Sequence, residues 1–451
     1  MSDTIAAVST GFQISAIGII RLSGDDAINI IDRVFTPASG ASISQRRDRE
    51  LVYGRLHTAE GDTLDLCLCT VSRAPHSYTG ENTAELQCHG SPVVLRAALE
   101  ELFRLGARQA DPGEFTNRAF LNGRIEVTEA EAVADLIDAE SVECAKNAAG
   151  QLSGAISRKL DGIYDLLVDI CSHYHAVLDY PDEDIEDFRL DSYRADLTGC
   201  IDRLRALKST YSRGKLMVSG IPAAIIGRPN AGKSSLLNAL LGYDRAIVTS
   251  VPGTTRDTIE EKLRLGRVCI RLIDTAGIRD TDDEVERLGV ERSRRALENA
   301  ELVIAVVDGS EKPNDDDMQM IALAEKAPKA VVAVAKSDLG KVNTPETALP
   351  TVTVSSVTGE GIDELEEVIS GLFCAPDVPA GEILTNARQE NAVSRALEYM
   401  CAVKDAMDCG MTPDAVLTEA EGAMNALGEL DGRTVREDVT NRIFQRFCVG
   451  K

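Results

Sequence analysis

The chain has 451 residues, 44% of them hydrophobic, with 73 acidic against 48 basic side chains for a formal net charge of −25. That length predicts roughly two to four domains, and the charge argues against broad electrostatic capture of nucleic acid or of an anionic membrane. The start Met1-Ser2-Asp3-Thr4 lacks a basic, then apolar, leader, no apolar run reaches spanning length, and the 11 cysteines show no zinc or thioredoxin spacing at Cys67-Leu68-Cys69, so a cytoplasmic protein with mostly buried thiols is expected.

Short strands and helices alternate from Thr4 to about Phe115. Thr4–Val8 and Ile17–Leu22 read as strands, and Ser23-Gly24-Asp25 leads into a helix ending near Val34. Leu51–His57 and Leu64–Ser72 alternate around Glu60-Gly61-Asp62 as a hairpin, Ala84–Cys88 is another strand, and Pro92 opens a helix to Leu105-Gly106. This is an α+β domain.

From about Ile125 to Lys215 the period becomes helical, interrupted by the acidic run Tyr180–Asp187, which reads as a solvated turn rather than a calcium loop. His173 and His175, two apart on a helix, face different ways and do not share a metal. Strand and helix alternate again from Met217 to Phe373, then Leu384–Cys409 and Thr412–Lys451 read as helical. Helix on both sides of an α/β unit predicts an insertion. The expected division is 1–118 (α+β), 119–216 (helical, first part), 217–374 (inserted α/β) and 375–451 (helical, second part).

The inserted part carries the chemistry. Gly227-Arg228-Pro229-Asn230-Ala231-Gly232-Lys233-Ser234 fits the phosphate-loop pattern, between an apolar strand Ala223–Ile226 and a helix that includes Ser235 and ends at Gly242. A strand turning sharply into a helix gathers backbone N–H groups at one spot, where Lys233 reaches outer phosphates and the Ser234 hydroxyl reaches Mg²⁺. Further on, Gly253–Asp257 offers a threonine to the metal, and the strand Val268–Ile273 delivers Asp274-Thr275-Ala276-Gly277. The strand Leu302–Val307 ends at Asp308. Ala330–Val334 ends at Ala335-Lys336-Ser337-Asp338, and Thr351–Val354 ends at Ser355-Ser356. A carboxylate at Asp338 accepts both N1–H and the amino group of guanine, which adenine does not match. The ordered set predicts a GTP-binding P-loop domain and argues against an ATPase.

Two positions depart from the usual pattern: Ala335 stands where the Asn of Asn-Lys-x-Asp is usual, and Ile278 where many switch GTPases have a water-orienting Gln. Glu284 and Glu286 are both candidates for holding the attacking water. Asn230 offers an amide oxygen to a monovalent cation.

With these motifs, the stretches Gly18–Gly24, Tyr78–Leu86 and Pro112–Arg124, and the terminus Phe447-Cys448-Val449-Gly450-Lys451, the chain resembles, over its whole length, the bacterial tRNA modification GTPases of the MnmE (TrmE) family. The resemblance implies an N-terminal domain that binds 5,10-methylene- or formyl-tetrahydrofolate through positions matching Arg21, Glu85, Arg124 and Lys451, and that forms a homodimer. It implies K⁺ held at Asn230, Thr249, Val251 and Thr254, Mg²⁺ at Ser234 and Thr255, and Glu286 as the water-orienting residue. Cys448 matches the family's catalytic cysteine, as base or nucleophile. Nucleotide contacts fall on Asn230–Ser235, Asp274–Gly277, Lys336, Asp338, Ser355 and Ser356. The implied activity, with the flavoprotein MnmG in a heterotetramer-type complex, adds an aminomethyl or carboxymethylaminomethyl group to the wobble uridine of certain tRNAs. The competing expectation is a ribosome-assembly GTPase switch that binds rRNA. Such proteins usually carry a basic RNA-binding module, whereas here an α+β domain precedes the G domain and Cys448 stands near the terminus.

Overall fold

The computed structural model describes residues 3–180, 190–242, 261–273, 297, 299–340, 342–373, 378–432, 447 and 449–450. They divide into two compact units, one formed by residues 1–134 with 427–451 and the other by 135–426. Among the described residues no helix is long and apolar enough to cross a membrane.

The first unit is a seven-stranded sheet with helices against it. Its strands are β1 (Ile5–Val8), β2 (Ser15–Ser23), β3 (Phe35–Pro37), β4 (Val52–His57), β5 (Thr63–Ser72), β6 (Thr83–Gly90) and β7 (Arg108–Gln109), in the order β3-β4-β5-β6-β2-β1-β7. The expected hairpin is β4 and β5, paired antiparallel. Ile20, Leu22, Cys67, Cys69, Leu86 and Cys88 alternate onto the buried face, which is why this part of the sequence reads with period two. α1 (Ala27–Val34) and α2 (Pro92–Arg104) cover that face with Ile30, Ile31, Leu95, Leu99 and Leu102. α3 (Glu114–Leu121) and α4 (Val127–Ile137) follow. β3 and β7 escaped the sequence reading because two or three extended residues carry no detectable period, and α3 escaped it because eight residues span little more than two helical turns.

In the second unit, helices from before and after an α/β part pack on one another. Those before it are α5 (Val142–Leu152), α6 (Ala155–Asp179), α7 (Leu190–Ser209) and α8 (Tyr211–Ser219). The linker before the last long helices is pinned to them: Asn147 Nδ2 and Gln151 Nε2 both donate to Ile383 O, at 3.1 and 2.6 Å, and the Leu384 N–H donates to Thr210 Oγ1 at 3.1 Å. His173 packs edge-on against Tyr174 and Tyr193, while His175 lies 3.6 Å from Glu421, so the two do face apart.

The α/β part contains β8 (Ile221–Ile226), α9 (Lys233–Leu241), β9 (Glu261–Leu265), β10 (Val268–Leu272), β11 (Leu302–Asp308), α10 (Asp315–Ala324), β12 (Lys329–Ala335), β13 (Thr351–Thr353) and α11 (Ile362–Phe373). Its six-stranded sheet has the order β13-β12-β11-β8-β10-β9, parallel except for β9. β8, β11 and β12 are apolar runs covered on both faces, as parallel strands require. The sequence reading found these and missed β9, whose mixed Glu-Lys-Leu-Arg-Leu suits an edge strand.

After α12 (Ala387–Asp408), α13 (Pro413–Asp431) runs to Gly432, and residues 433–446 lie outside the described residues. The expectation of helix from Thr412 to Lys451 is corrected here. Gly432 has φ 97°, and a Cβ there would lie 2.9 Å from Phe120 Cε2 and Val127 Cγ2, so the chain turns where no L side chain fits. Near the end, Val449 makes an antiparallel bridge to Pro112.

Candidate functional site

The chain leaves β8 at Gly227, φ 153°, where a Cβ would lie 2.4 Å from Val306 O. Asn230 and Gly232 also have positive φ, 62° and 106°. Backbone turned in this way forms a concavity of N–H groups, and α9 adds the positive end of its dipole behind it. Lys233 Nζ donates to Gly227 O and Arg228 O, both at 2.8 Å, and burial pushes its ammonium pKa down. The lysine therefore spans the loop with its charge at the mouth. Ala231 is fully buried under the loop, while Ser234 and Ser235 occupy the first turn of α9, the position from which a hydroxyl reaches a phosphate-bound Mg²⁺.

Two strands away, Ser355 fixes Asp338. The Ser355 hydroxyl, fully buried, donates to Asp338 Oδ1 at 2.7 Å and accepts from the Val357 and Thr358 N–H groups at 3.3 and 3.2 Å. Ser356 follows in the same turn. This leaves Asp338 with lone pairs for the two donors on guanine's edge. Because β8, β11 and β12 are parallel, the phosphate loop, Asp308 and Asp338 all leave the sheet at its carboxyl edge, where such folds bind ligands.

The sequence reading missed a cluster of charges between these two ends. Lys336, φ 63°, points its Nζ 2.7 Å from Asp308 Oδ2. Arg228, inside the phosphate loop, lies 2.8 Å from Glu311, 3.2 Å from Asp317 and 3.7 Å from Asp308. Arg228 occupies a position that the motif leaves free, and its partners come from residues far along the chain. Asp308 at its strand end and Lys336 in the guanine motif each gave a signal, but their pairing did not.

In the first unit, Arg21 Nε donates to Glu85 Oε1 at 2.9 Å, from directly opposite positions on β2 and β6. The Arg21 guanidinium carbon lies 5.6 Å from the Tyr78 ring centre and 5.8 Å from that of Phe115. Arg124 has its stem beside Gly80, where a Cβ would meet its Cγ at 3.3 Å. A planar cation beside two rings and a carboxylate suits a flat heterocycle with an acidic tail. The sequence reading quoted Tyr78 and Phe115 without giving them a role. Gly450, the last described residue, comes to the end of β1, where Ser9 Oγ donates to its carbonyl at 2.9 Å.

Thr249, Val251, Thr254, Thr255, Asp274, Thr275, Ala276, Gly277, Glu284, Glu286, Cys448 and Lys451 lie outside the described residues. For K⁺ the structure thus describes only Asn230, and for Mg²⁺ only Ser234, of the expected ligands. Among the described residues seven cysteines, including Cys67, Cys69 and Cys88, are buried, as expected, whereas Cys409 is exposed.

Comparison with known proteins places this geometry in a family. The profile of the MnmE helical domain matches residues 127–448, and that of the GTP-binding protein TrmE N-terminus matches residues 4–124. The tRNA modification GTPase MnmE of Symbiobacterium thermophilum is 40% identical over 100% of this chain and 99% of its own length. That of Roseiflexus sp. (strain RS-1) is 41% identical over 100% and 99%. Among solved structures, the G domain of the T. maritima FeoB iron transporter aligns with 34% of this chain and 98% of its own at 29% identity and a TM-score of 0.26.

Proposed function

The chain belongs to the MnmE (TrmE) family of tRNA modification GTPases, and from that premise we propose the reaction it serves. It is a GTP hydrolase of tRNA modification, with a P-loop domain able to bind GTP and Mg²⁺. The proposed product is an aminomethyl or carboxymethylaminomethyl group on the wobble uridine of certain tRNAs, made in the cytoplasm by a homodimer working with the flavoprotein MnmG. We also propose the four-part division at residues 118, 216 and 374.

The observation that carries the nucleotide reading is Asp338 locked by Ser355 on the same sheet edge as the phosphate loop. The loop N–H groups and Lys233 grip the phosphates, Asp338 selects guanine, and Glu286 is assigned to orient the attacking water in place of the Gln replaced by Ile278. Mg²⁺ at Ser234 and Thr255, and K⁺ at Asn230, Thr249, Val251 and Thr254, supply positive charge against the phosphates. Arg21, Glu85, Arg124 and Lys451 are assigned to the tetrahydrofolate, with Tyr78 and Phe115 flanking Arg21. Cys448 is assigned to the one-carbon transfer; the antiparallel bridge of Val449 to Pro112 supports this by placing residue 449 beside the N-terminal part of the chain. The full-length match sets aside the ribosome-assembly reading.

The test is mass spectrometry of wobble nucleosides from cells lacking the protein, complemented with the wild type or with Cys448→Ser. Loss of the modified uridine, restored by the wild type alone while the variant still hydrolyses GTP, is expected. Modified uridine persisting in the deletion strain would overturn the reading.

A further inference from the structure

The residue at position 335 abuts the phosphate loop: a Cβ built on Gly232 would lie 3.2 Å from Ala335 Cβ. Ala335 is 1% exposed, so it offers the loop a methyl group and no polar atom. One residue on, Lys336 turns back to Asp308, whose backbone lies opposite Ala335 in the β11–β12 register. Asp308 Oδ1 accepts from the Ser310 N–H at 3.0 Å and its hydroxyl at 2.6 Å. Burial pushes the Asp308 carboxyl up, but Lys336 and Ser310 outweigh it and hold it below the usual carboxylate range. Arg228 approaches Asp308 Oδ2 at 3.7 Å from the loop side. A charged chain thus runs from the phosphate loop through Asp308 to Lys336, two residues before Asp338.

We propose that Asp308 is a positioning residue for guanine nucleotides, replacing through Arg228 and Lys336 the brace that an amide at position 335 would provide. The proposal rests on the GTP reading above. One ligand is gripped at its base by Asp338 and at its phosphates by the loop, so those two ends must be held at a fixed separation before it arrives, and first-contact groups keep such geometry only when the groups behind them are locked. The alanine contact resists compression but not sliding. The ionised Asp308 between two cations resists both, since moving either cation away leaves a buried carboxylate short of a partner. Glu311 and Asp317 also hold Arg228, but Asp308 is the member that pairs with Lys336 as well, and so joins the loop to the base-reading segment.

The experiment measures dissociation constants for GDP, GTP and ATP on the full-length chain as wild type, Asp308→Asn, Ala335→Asn and the double variant, with nucleotide-free thermal unfolding alongside. Asp308→Asn is expected to weaken GDP about tenfold, the loss of a buried charged hydrogen bond. Ala335→Asn is expected to tighten GDP and GTP about twofold to threefold in the wild type and by more in the Asp308→Asn background, an interaction that two independent sites would not show. ATP is expected to stay weak throughout. GDP affinity within twofold of wild type in Asp308→Asn, or equal gains from Ala335→Asn in both backgrounds, would overturn the proposal. Should Asp308→Asn fail to fold, Lys336→Gln carries the same pair of measurements. Failure of the GTP reading itself would look different: the wild type would not prefer GTP to ATP.

Discussion

In the parallel sheet, β8, β11 and β12 run side by side and end at Ile226, Asp308 and Ala335, so the residues around the nucleotide leave the sheet together at one edge. In the antiparallel sheet of the first unit, Arg21 and Glu85 sit within strands, opposite one another, and the aromatic rings beside Arg21 come from a loop and from α3. A parallel sheet concentrates its site in contiguous loops, each a short motif. An antiparallel face assembles its site across the register from residues far apart in the chain. The first kind binds through backbone and helix ends, and the second through side chains that must be braced one by one.

Exchanging K⁺ for Na⁺ separates the two most widely. Ile278 cannot orient water, and on the proposed site K⁺ beside Asn230 would supply charge that an arginine finger would otherwise bring. GTP turnover is therefore expected to fall by about 10³-fold or more in Na⁺, while tetrahydrofolate binding stays unchanged. Equal turnover in the two salts would remove K⁺ from the nucleotide site.

A smaller effect is expected at Asp338. In Asp338→Asn the amide NH₂ meets guanine's own amino donor, so GTP affinity should fall by about 10²-fold or more. A xanthine nucleotide, which presents a carbonyl there, should bind the variant better than it binds the wild type. Competition between GTP and xanthosine triphosphate measures this, and an unchanged preference would mean that another group reads the base.

The same contrast explains what the amino-acid sequence disclosed. Gly227, Gly232, Lys233, Ser234 and Asp338 were legible because strand, turn and helix follow one another within a few residues, each with its own physical signature. Arg228 and Asp308 were not, because 80 positions separate them and neither belongs to a motif position with a fixed role. Arg21 and Glu85 drew notice only through family resemblance, since a lone charge on a strand reads as solvated surface. The end of α13 was misread because a left-handed glycine at 432, packed against Phe120 and Val127, is a tertiary fact with no local periodicity to announce it.

On the antiparallel side, Arg21→Ala is expected to weaken tetrahydrofolate about tenfold by removing the ion pair and the ring contacts, with GTP turnover unaffected. Glu85→Gln, which keeps a hydrogen-bonding side chain, should lose less. Calorimetric titration with a tetrahydrofolate separates the two. Equal affinity for wild type and Arg21→Ala would move the folate site elsewhere.

The smallest effect tests the bracing behind that face. Phe115, fully buried and beside Arg21, follows Glu114 on α3. Glu114 Oε2 accepts from Arg108 Nη1 at 2.8 Å and from the Asp111 N–H at 2.9 Å, and Oε1 from Arg118 Nη2 at 2.9 Å. Arg118 also binds Asp3 at 2.7 Å and Glu81 at 2.9 Å. Burial alone pushes the Glu114 carboxyl up, but Arg108, Asp111 and Arg118 outweigh it and hold it below the usual range. Asp3 is likewise lowered, first by its hydrogen bond from Arg108. A carboxyl lowered on folding contributes stability that is fully present above its unfolded pKa, about 4.3 for glutamate, and is lost as pH falls through the lower folded value. Glu114→Gln is therefore expected to destabilise the first unit by about 1–3 kcal/mol at neutral pH, and the gap to wild type should close as the pH falls below about 4. Denaturant unfolding of the two proteins across that range measures it. A gap that stayed constant into acid would assign Glu114 a role in packing alone, and the antiparallel face would then hold Phe115 against Arg21 without help from charge.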